Sequence, residues 1–249
     1  MRIFSFYLLF ISLLFQGCFE TNNSFDGKNI SVNSEIKVDS SIINFYLPYK
    51  SKLQDGLMNK PISYSLKTYK KNDGILNSSL GNMFADATYD LINPIFKDKT
   101  GNSIDVVLLN NGGIRSIISQ GPVSEKTAFE LMPFENSIVI VKLDGNSIKK
   151  MVDYLVEVRL PHPIKGLEIV LNKDYSVESV LLNNNPIDEN KYYFVATTDY
   201  LLDGGDKMYF LAESKETTII DYKMRDVLID YFIKTDTLKL KTDNRFIIN

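Results

Sequence analysis

The stretch IDVVLLNNGGIRSIISQGPVSEKTAFELMPFENSIVIVKLDG, residues 104–145, decides how the chain is read. Ile104, Val106, Val107, Leu108 and Leu109 form an apolar, β-branched run expected to be a strand. Asn110-Asn111-Gly112-Gly113 then breaks it with residues that tolerate positive φ and leave backbone amides uncovered. Arg115 follows at once. A loop, a short helix over 125–131 and a Pro133-Phe134 step lead into a second strand over 137–143. The layout puts an amide, a guanidinium and an aromatic ring near strand ends, where open sheets hold ligands.

Working outward, the chain mixes helical and strand periods. Residues 62–69 alternate loosely as a strand, and Ser78 or Ser79 caps a helix in which Leu80, Met83, Phe84, Ala87 and Leu91 recur up to Pro94. Asn146 or Ser147 opens another helix, with Ile148, Met151, Val152, Leu155 and Val158 on one face. Residues 167–171 and 177–182 read as a hairpin, and 192–198 as a strand introduced by the Asn185-Pro186 turn. A last amphipathic helix is expected over 221–233, with Met224, Val227, Leu228 and Phe232 inward, and an edge strand over 246–248. Upstream, residues 45–58 read as an amphipathic helix interrupted by Pro48. No fixed-period repeat is present, so the pattern predicts an α+β or mixed α/β domain.

Four segments resemble the 5'-nucleotidase family in its C-terminal, substrate-recognition domain. Residues 110–115, NNGGIR, are similar to its asparagine-glycine-arginine motif, and 131–134, LMPF, to its proline-phenylalanine motif. Residues 198–206, TDYLLDGGD, resemble the segment that closes the site, and 79–87, SLGNMFADA, the helix that opens the domain. They stand in the family's order, over a domain assigned to residues 43–249. The resemblance implies a layered α/β/β/α arrangement.

It also implies roles. Phe134 and Tyr200 would clamp a nucleoside base between two rings, an interaction of roughly 1–3 kcal/mol per base; their plain alternative is core or surface packing. Asn110 would meet the base edge, since an amide both donates and accepts, or would simply form the turn. Asp206 would accept from ribose hydroxyls. Gly112, Gly113, Gly204 and Gly205 would allow close approach, though a tight turn explains the last pair equally well. Arg115 would face a phosphate, or pair with a carboxylate. Tyr200 stands where the family commonly has phenylalanine, and Leu202 and Lys207 also depart from its motif. Residues 70–77, KKNDGILN, lack an arginine the family often carries there, leaving Lys70 or Lys71 as substitutes and a nucleoside as a ligand alongside a nucleotide.

The 249 residues are 44% hydrophobic and 24% charged, enough for one good core, and carry a net charge of −3. With a pI near 5.3 the chain is a poor partner for a nucleic-acid polymer. Residues 1–17 pair a small positive end with an apolar run ending before Cys18, the sole cysteine. The segment resembles a bacterial lipoprotein signal, with Cys18 as the lipid-bearing residue; a short membrane anchor is the alternative. Residues 18–42, rich in Asn, Ser and Asp, read as a flexible tether. The expected location is the cell envelope, lipid-anchored outside the cytoplasm, without an internal disulfide.

Hydrolytic chemistry is not legible here. Whole 5'-nucleotidases join this type of domain to a metallophosphatase domain with two divalent metals, and a metal pair about 4 Å apart needs more ligands than one side chain offers. His162, the only histidine, lies between Pro161 and Pro163 in an expected loop and is a weak candidate for ligand or base. No Gly-x-Ser-x-Gly elbow and no phosphate-binding Gly-x-x-x-x-Gly-Lys loop occurs, and Cys18 is consumed by lipid. A pair of glycosidic carboxylates stays open. The expectation is therefore the substrate-binding half of a 5'-nucleotidase-like hydrolase in nucleotide catabolism, with no cofactor of its own and divalent metals only on a separate metallophosphatase partner. A non-catalytic nucleoside or nucleotide capture lipoprotein, or an interaction module with a decayed pocket, is the alternative.

Overall fold

A computed structural model describes residues 27–55 and 60–249. The segment read as a signal, and Cys18 with it, lies outside the described residues. The chain divides into two units, 1–47 and 48–249. Residues 27–39 have no helix or strand, and Asp39 caps α1 (Ser40–Asp55), which begins in the first unit and ends in the second, by accepting from the Ser41 backbone N–H at 2.8 Å. That helix starts before the expected position, within the segment read as a tether, and Pro48 lies inside it instead of breaking it.

The second unit is built on a five-stranded sheet. In spatial order it runs β5 (Ile164–Lys165), β2 (Val106–Leu108), β8 (Tyr192–Thr198), β4 (Ser137–Asp144) and β9 (Glu216–Lys223). β2 and β8 are parallel, and the other pairs are antiparallel, with Ile140 opposite both Ala196 and Thr218. Because strand side chains alternate in direction, Val107, Ile138, Ile140 and Ala196 feed one core while Val106, Leu108, Val141, Leu143 and Val195 feed a second.

The first core is closed by α2 (Ser79–Thr100), α3 (Glu125–Leu131) and α6 (Met224–Lys234), with the small sheet of β10 (Thr237–Leu238), β1 (Pro61–Ser65) and β3 (Gly121–Ser124). The second is closed by α4 (Gly145–Val158) and by the sheet of β11 (Phe246–Ile248), β6 (Leu167–Leu171) and β7 (Val177–Leu182). Strands and helices thus form the layered mixed α/β arrangement expected of the sequence.

Four elements of this unit differ from expectation. α2 does not stop at Pro94 but runs on to a left-handed cap at Gly101, whose N–H donates to the Lys97 carbonyl. An interior proline costs a helix about 3 kcal/mol, whereas Ile92 and Phe96, on either side of it, are fully buried. Each such burial returns about 1.5–3 kcal/mol, so the helix continues. β9 is a strand the sequence reading lacks: only Ile220 along it is buried, so it shows no apolar alternation, and pairing with β4 defines it. α6 accordingly begins at Met224, after residues expected to be helical, and β1 ends at Ser65.

The segment 79–87 serves the fold. Asn82 Nδ2 donates to Asn77 Oδ1 and to the Lys241 carbonyl, and Asn77 Nδ2 donates to the Asp243 and Phe246 carbonyls. This buried net pins the C-terminal segment against α2.

Candidate ligand-binding site

One wall of the site is the turn after β2. Asn110 is extended, and Asn111–Gly113 make a single 3-10 turn closed by the Gly113 N–H on the Asn110 carbonyl at 3.1 Å. The turn is held from behind. The Asn111 N–H donates to His162 Nδ1 at 3.2 Å, Asn111 Nδ2 donates to the Pro161 carbonyl, and Lys71 Nζ reaches the Asn111 carbonyl. His162 lies in a loop, as expected, but is only 3% exposed. Burial pushes its pKa below the usual imidazole value, so the ring is neutral near pH 7. With Nδ1 accepting, its proton is left to Nε2, for which no hydrogen-bond partner stands among the described residues. Its work is to support the turn.

Gly112 and Gly113 do not adopt the positive φ that their sequence suggests. Gly113 is needed for space instead: a Cβ there would fall 2.9 Å from Asn110 Oδ1, whereas one on Gly112 would meet Asn110 Nδ2 at 3.4 Å, an ordinary contact.

The opposite wall follows β8. After the short helix α5 (Asp199–Leu202), Gly204 takes φ 91° and Asp206 and Lys207 take φ 51° and 62°, left-handed values that ordinary side chains rarely adopt. Gly205 is fixed by contact: a Cβ there would lie 2.6 Å from Tyr200 Cζ and 2.5 Å from the Tyr200 carbonyl oxygen. Asp206 is the joint between the walls. Its Oδ1 accepts from the Tyr200 hydroxyl at 3.1 Å and its Oδ2 from Asn110 Nδ2 at 2.8 Å, while its carbonyl accepts from the Tyr154 hydroxyl at 2.8 Å. The hydrogen bond to Asp206, with its charge, pushes the Tyr200 phenol up, and burial does the same for Tyr154 with help from Asp206. Both phenols are therefore donors at neutral pH.

Between the walls lies a cavity of about 240 Å³ lined by Asn110, Gly112, Gly113, Arg115, Phe134, Asn136, Tyr200 and Asp206. Phe134 and Tyr200 are 40% and 45% exposed, so neither ring is plugged into the core. Gly204 and Gly205 are not in the lining: Gly205 stands against Tyr200 and Gly204 against Tyr209. The Arg115 guanidinium lies 5.9 Å from the centre of the Phe134 ring and donates to the Gly112 carbonyl at 3.3 Å. Among the described residues it has no carboxylate partner, in contrast to the pairing weighed from sequence.

Asn136 is the lining residue that sequence reading missed. Its carbonyl accepts from the Met224 N–H at 2.9 Å, and beside it Glu135 pairs with Arg225, whose guanidinium covers the Phe129 ring at 4.1 Å. The loop is thus tied to α6 and to α3. An asparagine before a strand carries no signal of its own, so only its proximity to Phe134 pointed to it. Among the described residues, no group of three or more His, Cys, Asp and Glu side chains is arranged to hold a metal ion.

Residues 59–213 match the family described as the 5'-nucleotidase, C-terminal domain. The chain belongs to this family. As a 5'-nucleotidase C-terminal domain it is 23% identical over 231 residues to an apyrase of Aedes albopictus, covering 84% of this chain and 40% of that protein. It is 30% identical over 115 residues to protein UshA of Escherichia coli, covering 44% and 20%. Among solved structures, the 5'-nucleotidase precursor of Thermus thermophilus superposes with a TM-score of 0.68 at 20% identity, covering 84% of this chain and 43% of that one. The NAD nucleotidase of Haemophilus influenzae gives 0.63 at 19%, covering 85% and 42%. The likeness to these structures is one of fold. The chain spans less than half the length of each of these relatives.

Proposed function

We propose that this chain recognises a nucleoside or nucleotide and serves as the substrate-binding half of a 5'-nucleotidase-like hydrolase, with the metals and activated water supplied by a separate metallophosphatase chain. The observation that carries the reading is one cavity bordered by two exposed rings from separate segments, an amide, a carboxylate and a guanidinium without an acid partner among the described residues. Phe134 and Tyr200 hold the base and Asn110 its edge, Asp206 faces the sugar, and Arg115 faces a phosphate. At about 240 Å³ the cavity is below the roughly 300–1,000 Å³ usual for a drug-sized ligand. It suits a base with part of its sugar, leaving the phosphate at the rim near Arg115. Cys18 carries the lipid that anchors the domain outside the cytoplasm.

Calorimetry of the purified mature chain with adenosine and AMP tests recognition; binding that survives Phe134→Ala undiminished would count against it. Mixing the chain with a metallophosphatase from the same cell and measuring phosphate release from AMP tests the division of labour. No gain over the phosphatase alone, with nucleoside binding intact, leaves the capture lipoprotein as the reading.

A further inference from the structure

We propose that the Tyr200 hydroxyl makes this cavity indifferent to whether its nucleoside carries ribose or 2'-deoxyribose. The inference rests on the reading of the cavity as a nucleoside site. Sugar hydroxyls need acceptors, and among the lining residues Asp206 is the only carboxylate. Neither of its oxygens depends on a ligand, since Oδ1 already accepts from Tyr200 and Oδ2 from Asn110, and each keeps a second lone pair for a sugar hydroxyl.

Both donors are fixed by their surroundings. The Tyr200 ring packs on Gly205, where no Cβ fits, and the Asn110 amide fills the space that Gly113 leaves. A carboxylate accepts but never donates, so the Asn110 nitrogen must face it.

A binding site rejects a ligand that lacks a hydroxyl when the missing group strands a polar atom of the protein in the closed complex. Here the loss of a sugar hydroxyl strands nothing, because each Asp206 oxygen keeps its protein donor. With phenylalanine at position 200, Oδ1 would have only the ligand or water to satisfy it. The sugar hydroxyl would then be read.

The test is calorimetry of adenosine and 2'-deoxyadenosine with the unaltered chain, Tyr200→Phe and Phe134→Ala. The unaltered chain is expected to bind the two within about threefold, and Tyr200→Phe to favour adenosine by about tenfold or more. Phe134→Ala is expected to weaken both equally and leave their ratio unchanged. A tenfold preference for adenosine in the unaltered chain, or the same ratio in Tyr200→Phe, overturns the inference while nucleoside binding stands. Binding of neither compound to the unaltered chain removes the nucleoside reading and this inference together.

Discussion

The guanidinium of Arg245, 13% exposed, donates to both carboxylate oxygens of Asp86 and of Asp243 and to the Ile164 carbonyl at 2.7 Å. That of Arg115 is exposed, and among the described residues its acceptor is one carbonyl, that of Gly112, beside the Phe134 ring. Lys165 completes the first cluster by donating to Asp86 at 3.1 Å and lies 3.8 Å from Asp90, so three acids face two bases. The first arrangement joins α2, β5 and the C-terminal segment; the second leaves a cation at the mouth of a cavity. Charge alone does not distinguish a structural arginine from a recognising one. The count of satisfied donors does, because a guanidinium whose donors are taken has nothing left for a ligand.

The sharpest way to break this contrast is to remove each arginine. Arg245→Met is expected to lower unfolding free energy in urea by about 2–3 kcal/mol, less than for deeply buried pairs because Asp86 and Asp243 are partly exposed. Ligand affinity of the folded protein should not change. A loss below about 0.5 kcal/mol would show the cluster to be surface ornament.

Phe134→Ala is expected to cost roughly 1–3 kcal/mol of nucleoside binding by calorimetry, with little change in urea stability. Equal losses of binding and stability would place the ring in the fold and not in the site. Arg115→Met is expected to weaken AMP about tenfold, adenosine hardly at all, and stability by less than about 0.5 kcal/mol. Parallel losses for both ligands would remove the phosphate role.

The smallest effect is on pH dependence. His162 has a pKa lowered by burial, so the unfolded chain binds the extra proton more readily than the folded one. Its contribution is fully present above the unfolded value of about 6.5 and is lost as pH falls from there toward the folded value. Urea midpoints should therefore decline between pH 7.5 and 5, with a shallower slope in His162→Gln. As the only histidine in the chain, its imidazole resonance reports the titration directly. Asp243 acts in a lower window. Burial raises its carboxyl, but the hydrogen bonds and charge of Arg245 bring it below the ordinary value. Its contribution stands above the unfolded pKa of about 3.9 and is lost as pH falls through the folded one.

Where apolar residues repeat at a fixed period, the chain could be read directly: α4 and the β6–β7 hairpin sit where their patterns put them. β9 and the continuation of α2 through Pro94 escaped because their evidence is in neighbours: a paired strand for one, buried Ile92 and Phe96 for the other. Gly112, Gly113, Phe134 and Tyr200 were nominated by motif. Their reasons are visible only in three dimensions.

By itself the sequence determined the mixed α/β class and most of the elements, because periodicity and turn chemistry are local properties, while motif resemblance nominated most of the cavity's lining but neither Asn136 nor the place of Gly204 and Gly205 outside it. Only the tertiary structure decided that Asp206 is already held by Tyr200 and Asn110, that His162 braces the turn, and which of the two arginines has its donors taken by acids. These depend on distances between residues far apart in the chain, and hydrogen-bond satisfaction has no signature in residue order.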